Sequence, residues 1–183
     1  GSARVKLGET EVIAGVKMEL GTPYPDTPEE GSIMVGAEFL PMASPDFEAG
    51  PPGEDAIELA RVVDRGIRES GSLDLKKLCI KKGKKMWIIS VDVCIVNDEG
   101  NLVDVSGLAA LAAIEDAVFP ELKDLGDDDY EIDYKTKTKK NIPISKRPVP
   151  VTVYKLGKDF IVDPIREEVK KAESRLTVTS TED

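Results

Sequence analysis

Residues 87–117 read WIISVDVCIVNDEGNLVDVSGLAALAAIEDA. The run Met86–Val96 is long and rich in β-branched side chains, the composition of a central strand. Asn97-Asp-Glu-Gly100 supplies turn residues directly after it. From Asp104 to Val118 almost every side chain is small or apolar the whole way round a helical wheel. A helix without a polar face leaves no side for water, so it must pack on the sheet and on something else. Its small residues also permit the close approach of a neighbouring helix or subunit.

Outward from this stretch the pattern repeats its two periods. Ala3–Leu7 and Val12–Met18 alternate apolar and polar residues across the turn at 8–11, which reads as a hairpin. Ser32–Phe39 gives a third strand, and Val149–Leu156, Phe160–Val162 and Arg175–Thr179 give strands near the end of the chain. The segment Pro41–Gly53 holds four prolines and two glycines, a long loop of the kind that often carries function. Strands and helices in separate runs, joined by hairpins, point to an α+β domain: a mixed sheet with helices packed on one face.

The 183 residues suit a single domain over residues 1–183, with 40% apolar and 33% charged residues. No stretch approaches the roughly 18 consecutive apolar residues of a spanning helix, and no secretory leader is apparent, so a cytoplasmic protein without a membrane partner is expected. The two cysteines, Cys79 and Cys94, fit no metal or redox spacing and read as buried thiols. There is no histidine. That removes the usual general base, the usual zinc ligand and any imidazole-dependent triad.

The formal net charge is -10, which argues against diffuse binding to nucleic acid. Against that background ELARVVDRGIRES, residues 58–70, stands out. The periodicity predicts a helix over 54–69 with Ala56, Leu59, Ala60, Val62, Val63 and Ile67 on its core face. Arg61, Arg65 and Arg68 gather on the opposite side, with Ile57 close to them. The ordinary reading is surface ion pairing, because Glu58/Arg61, Asp64/Arg68 and Arg65/Glu69 are spaced i,i+3 or i,i+4. The alternative is a stripe that holds a polyanion.

Two charged stretches remain. Lys81–Lys85 reads as a solvated basic turn. Residues 121–147 run from acidic (Asp127–Asp133) to basic (Lys135–Lys140) and read as a charged, partly mobile surface insert. A solvated charge run explains the three aspartates better than a metal site, so no metal and no cofactor is expected.

In order along the chain, GSARVKLGETEVIAGVK, IELARVVDRGIRES, the residue 87–117 stretch and YKLGKDFIVDP resemble the RNase PH family of phosphate-dependent 3′→5′ exoribonucleases. Gly1-Ser2 then reads as native sequence. ELARVVDRGIRES, PYPDTP and ASPDFEAGPP are similar to the non-catalytic RNase PH-like subunit of the archaeal exosome, relative to which the chain is truncated at both ends. The resemblance implies an RNase PH-like (ribosomal protein S5 domain 2-like) fold and no catalytic residues. It implies a catalytic RNase PH-like partner, a hexameric ring as a trimer of heterodimers, RNA-binding cap proteins and RNA. Arg61, Arg65 and Arg68 would then be RNA-binding, with Arg68 the weakest of the three.

Departures from the enzyme pattern carry the expectation of inactivity. Active members place two aspartates six residues apart after the later hairpin. Here Asp163 is followed six residues on by Val169, and only Glu167 or Glu168 stands nearby. The two arginines that hold phosphate in active members correspond to Asn101 and Asp55. Asn101 lacks a forked positive charge, and the carboxylate of Asp55 would repel phosphate. Two rivals stay open: an active exoribonuclease using Asp163 with Glu167 or Glu168, and a fold relative that is an interaction module without an RNA role.

Overall fold

A computed structural model describes residues 1–182, the side chain at 137 excepted. Strands β1 (Ser2–Leu7), β2 (Thr10–Gly21), β3 (Ser32–Phe39), β4 (Cys79–Lys81) and β5 (Lys85–Asn97) make the larger sheet. Its order is β1-β2-β5-β3, with β4 pairing the start of β5. The β5 segment is central as its composition predicts, antiparallel to β2 and parallel to β3. Register aligns apolar rows across three strands: Met18–Ile89–Ile33, Val16–Val91–Val35 and Ala14–Val93–Ala37. Such same-face pairs are the unit of sheet stability, and the alanine row leaves room for a helix to approach.

Helices α1 (Glu54–Glu69) and α2 (Leu102–Asp116) lie on that inner face. The core side of α1 is Ala56, Leu59, Ala60, Val63 and Ile67, with Val62 half-buried. Helix α2 is buried nearly all round. What covers its second side is a smaller sheet of the same chain: β8 (Val149–Leu156) between β9 (Asp159–Val162) and β10 (Ser174–Ser180). The small residues of α2 therefore admit β8, and no neighbouring subunit is needed to explain them. At Gly107 a Cβ would lie 2.5 Å from the Pro150 ring. Asp104, also buried, accepts hydrogen bonds from the Thr152 amide (3.0 Å) and hydroxyl (2.6 Å). It sits in the first turn of α2, where the helix dipole favours a carboxylate. The opposite face of the small sheet carries exposed Val151, Val162, Leu176 and Val178.

Residues 121–147, expected as a charged surface insert, have regular structure. Most form a two-stranded ribbon of β6 (Val118–Gly126) and β7 (Asp129–Asn141). Leu122 and Ile132 pack on the core, and the Tyr134 hydroxyl donates to the Met18 carbonyl at 3.0 Å. The abundance of charge hides that alternation in the sequence. At the ribbon tip Asp127 and Asp128 adopt positive φ of 51° and 67°, which aspartate tolerates in tight hairpins. Asp128 pairs with both Lys81 and Lys84, so the basic turn is tied down by the ribbon instead of standing free in solvent. Cys79 and Cys94 are free thiols and only half-buried, not fully buried as expected; burial still pushes the Cys94 thiol up. The amide of Ser2 donates to Asp116 at 3.1 Å, which ties the first residues to the end of α2.

Removing the Asp104 carboxylate would leave the buried Thr152 amide and hydroxyl without their partner. Asp104→Ala is therefore expected to destabilise the fold by about 2–4 kcal/mol. The drop in the urea midpoint measures this.

Candidate nucleic-acid interface

Helix α1 begins after Gly53 with Glu54 and Asp55 in its first turn. Of the three ion pairs its spacing allows, one forms. Asp64 takes two hydrogen bonds from Arg68, Nε to Oδ2 at 3.0 Å and Nη2 to Oδ1 at 2.9 Å. Arg68 also donates to the Ile33 carbonyl on β3, so its side chain is drawn onto the sheet and away from the stripe. Glu58, placed by spacing to meet Arg61, is held by Arg175 of β10 at 2.6 Å. Spacing along a helix could not reveal that partner, which lies on a strand near the end of the chain. Arg61 and Arg65 are exposed and make no ion pair among the described residues. They line a shallow groove of about 370 Å³ with Glu54, Ile57, Glu58 and Val62. Two unpaired guanidinium groups one helical turn apart can each bind a phosphate without distinguishing bases.

The positions that depart from the enzyme pattern meet elsewhere. Asp55, Asn101 and Val169 all line one cleft of about 240 Å³, together with Asp98, Arg166 and Lys170. Asn101 adopts φ 53° at the start of α2, and its Nδ2 donates to Asp163 at 2.9 Å. Its buried Oδ1 has no protein partner. Asp163 also has φ 53° and is exposed apart from that bond. Glu168 caps its own short helix α3 (Arg166–Lys171) by accepting from the Ile165 amide at 2.9 Å. Glu167 is exposed. None of these six residues supplies a positive charge for an inorganic phosphate.

The three cations that line this cleft, Arg166, Lys170 and Arg175, are already engaged, Arg175 by Glu58. Arg166 donates to the Ser44 hydroxyl at 3.1 Å, and Lys170 pairs with Asp46 at 2.6 Å, which holds the Asp46 carboxyl below its usual range. Burial pushes the Asp98 carboxyl up, opposed by the Gly100 amide. The Pro41–Gly53 loop thus reaches the cleft through Asp46 and Phe47, a location that proline and glycine content could not give. Among the described residues no three potential metal ligands stand together.

A model of domain 1 of the 3′ exoribonuclease family, RNase PH, matches residues 1–120, and its domain 2 matches residues 146–183. The chain belongs to the RNase PH family. Residues 121–145, most of the β6–β7 ribbon, fall between the two matches. In the structure the two matched parts meet where α2 packs on β8.

The chain is 50% identical to the exosome complex component Rrp42 of Archaeoglobus fulgidus over 184 residues, covering all of this chain and 67% of that one. It is 48% identical to the Rrp42 component of Thermoplasma acidophilum, covering 66% of it. It therefore spans about two thirds of the length of these relatives. A chain of the Archaeoglobus fulgidus exosome with RNA bound to the active site superposes with a TM-score of 0.84 at 48% identity, over all of this chain and 68% of that one. Rice Rrp46, at 23% identity and a TM-score of 0.66, shares the fold.

The arginines separate by their contacts. Arg68→Ala removes two bonds to Asp64 and one to a carbonyl, and is expected to lower stability by about 1–2 kcal/mol. Arg61→Ala and Arg65→Ala should leave the unfolding midpoint where it is. Thermal unfolding of the three variants side by side tests the ranking.

Proposed function

We propose that this chain is a non-catalytic RNase PH-like subunit of an archaeal exosome, one that shapes a catalytic partner's site and holds RNA beside it. One observation carries the reading: the positions where an active member would hold phosphate or place its second aspartate converge on one cleft as Asp55, Asn101 and Val169. An aliphatic side chain cannot bind a metal or donate a proton, and a carboxylate there repels the attacking phosphate. Asn101 uses its amide on Asp163, the remaining residue of the catalytic pattern.

The exposed Arg61 and Arg65 supply what a guiding subunit needs. Phosphate contacts position a strand of any sequence, which suits stepwise degradation from a 3′ end. A site narrowly confined to one helix face also reconciles RNA binding with a net charge of -10. Exosome membership is supported by identities near 50% to Rrp42 components along the whole chain. The expected assembly is a hexameric ring of three heterodimers with RNA-binding cap proteins, in the cytoplasm. Arg68 has the smallest part in RNA binding under this reading, since Asp64 and the Ile33 carbonyl already occupy it. In the rival in which Asp163 works with Glu167 or Glu168, the use of Glu168 as a helix cap leaves Glu167 as the free carboxylate.

The test is phosphorolysis of a 3′-labelled poly(A) strand with inorganic phosphate, using the full-length subunit alone and then with its active partner. The lone subunit should release no nucleoside diphosphate, and the pair should be active. Arg61→Glu with Arg65→Glu should weaken RNA binding by the pair about ten- to thirtyfold, as two charge-assisted contacts of roughly 1 kcal/mol each are lost. Phosphate-dependent activity of the lone subunit would make it an enzyme.

A further inference from the structure

The groove on α1 continues past Arg65. A second trough, of about 410 Å³, runs between α1 and β10, and the two share Glu58, Val62 and Arg65. The two adjoin along this stripe of α1, as two stretches of one track. Gly66 keeps the trough open, because a Cβ there would stand 3.0 Å from the Thr179 hydroxyl. On the far bank lies Arg175, exposed, with the guanidinium held by Glu58 at 2.6 Å and interacting with the Tyr154 hydroxyl.

We infer that Arg175 is a further phosphate contact for single-stranded RNA, presented to the track by Glu58; the inference rests on the RNA-binding reading of Arg61 and Arg65. Three features support it. Arg175 faces the same trough as Arg65, so a strand lying along Arg61 and Arg65 is led towards it. A guanidinium has five N–H donors in a fixed fork, and its pair with Glu58 runs through Nη2, which leaves donors for a phosphate oxygen. The bank beside it carries the hydroxyl of Thr179, which suits phosphate or ribose. Glu58 has two roles in this arrangement. It holds the arginine at the track while RNA is absent, and it competes with the phosphate for it.

That competition separates a phosphate contact from a mere strut between α1 and β10. A strut would make Arg175→Gln and Glu58→Gln equivalent, because either change breaks the same ion pair. A phosphate contact makes them opposite.

The experiment uses the full-length subunit assembled with its active partner and a 5′-fluorescent oligo(A), without inorganic phosphate so that the strand stays intact. Affinity is read across a salt series. Arg175→Gln is expected to raise Kd about three- to tenfold and to reduce the salt slope by about 0.7, the loss of one single-strand phosphate contact. Arg175→Lys should retain most of the affinity, and Glu58→Gln should tighten binding.

A Kd for Arg175→Gln within twofold of wild type, while Arg61→Gln and Arg65→Gln weaken binding, would overturn the inference and leave the wider reading standing. No effect from any of the three arginines would instead overturn the reading of α1. Should Arg175→Gln fail to assemble, the double variant Glu58→Gln/Arg175→Gln is compared with Glu58→Gln: weaker binding with a lower salt slope supports the contact, and equal binding rejects it.

Discussion

The close packing of α2 between two sheets is the constraint on which the rest of the molecule depends. Ala109, Ala110 and Ala113 are fully buried, and Gly107 leaves no space for a methyl group against Pro150. A larger side chain along this helix would push the sheets apart and empty the core of its contacts. The helix is also pinned in register, because Asp104 reaches one particular residue of the small sheet, Thr152. A carboxylate so deeply placed is tolerated because its hydrogen bonds are made and the dipole of α2 favours it.

That register fixes the cleft. The turn before α2 docks on the segment that follows β9: the Arg166 amide donates to the Glu99 carbonyl at 2.9 Å, and Gly100 lies against Pro164. A Cβ at Gly100 would come within 2.2 Å of the Pro164 carbonyl oxygen, and the residue holds φ 106°. Only glycine meets both demands. Asn101 comes next, which is why it faces Asp163 across this joint. The cleft is thus also a structural joint between the two matched parts of the chain.

How much of this was legible in the sequence depends on the distance over which each feature is decided. The central strand and both long helices were legible because 2.0 and 3.6 periods are local properties, and the core face of α1 followed from the same geometry. The envelopment of α2 was legible, but its second neighbour was not, since β8 lies more than thirty residues on. The partner of Glu58 was hidden for the same reason. Local spacing offered Arg61, and tertiary structure supplied Arg175. In the ribbon, repeated aspartates and lysines masked an alternation that becomes visible once Leu122 and Ile132 are seen on the core. The altered positions Asp55, Asn101 and Val169 were found by resemblance, and the fold adds that they share one cleft.

Arg68 has a consequence for the solubility of the chain. Strand β3 forms the far edge of the larger sheet, where unpaired carbonyls invite another chain to add a strand. The guanidinium of Arg68 occupies the Ile33 carbonyl, and Asp64 keeps it there. A charged group standing over that edge must be displaced before a foreign strand can pair, which leaves Asp64 facing the intruder without its counterion. The last arginine of the stripe therefore covers one carbonyl of this sheet edge, a contact that Arg61 and Arg65 do not make.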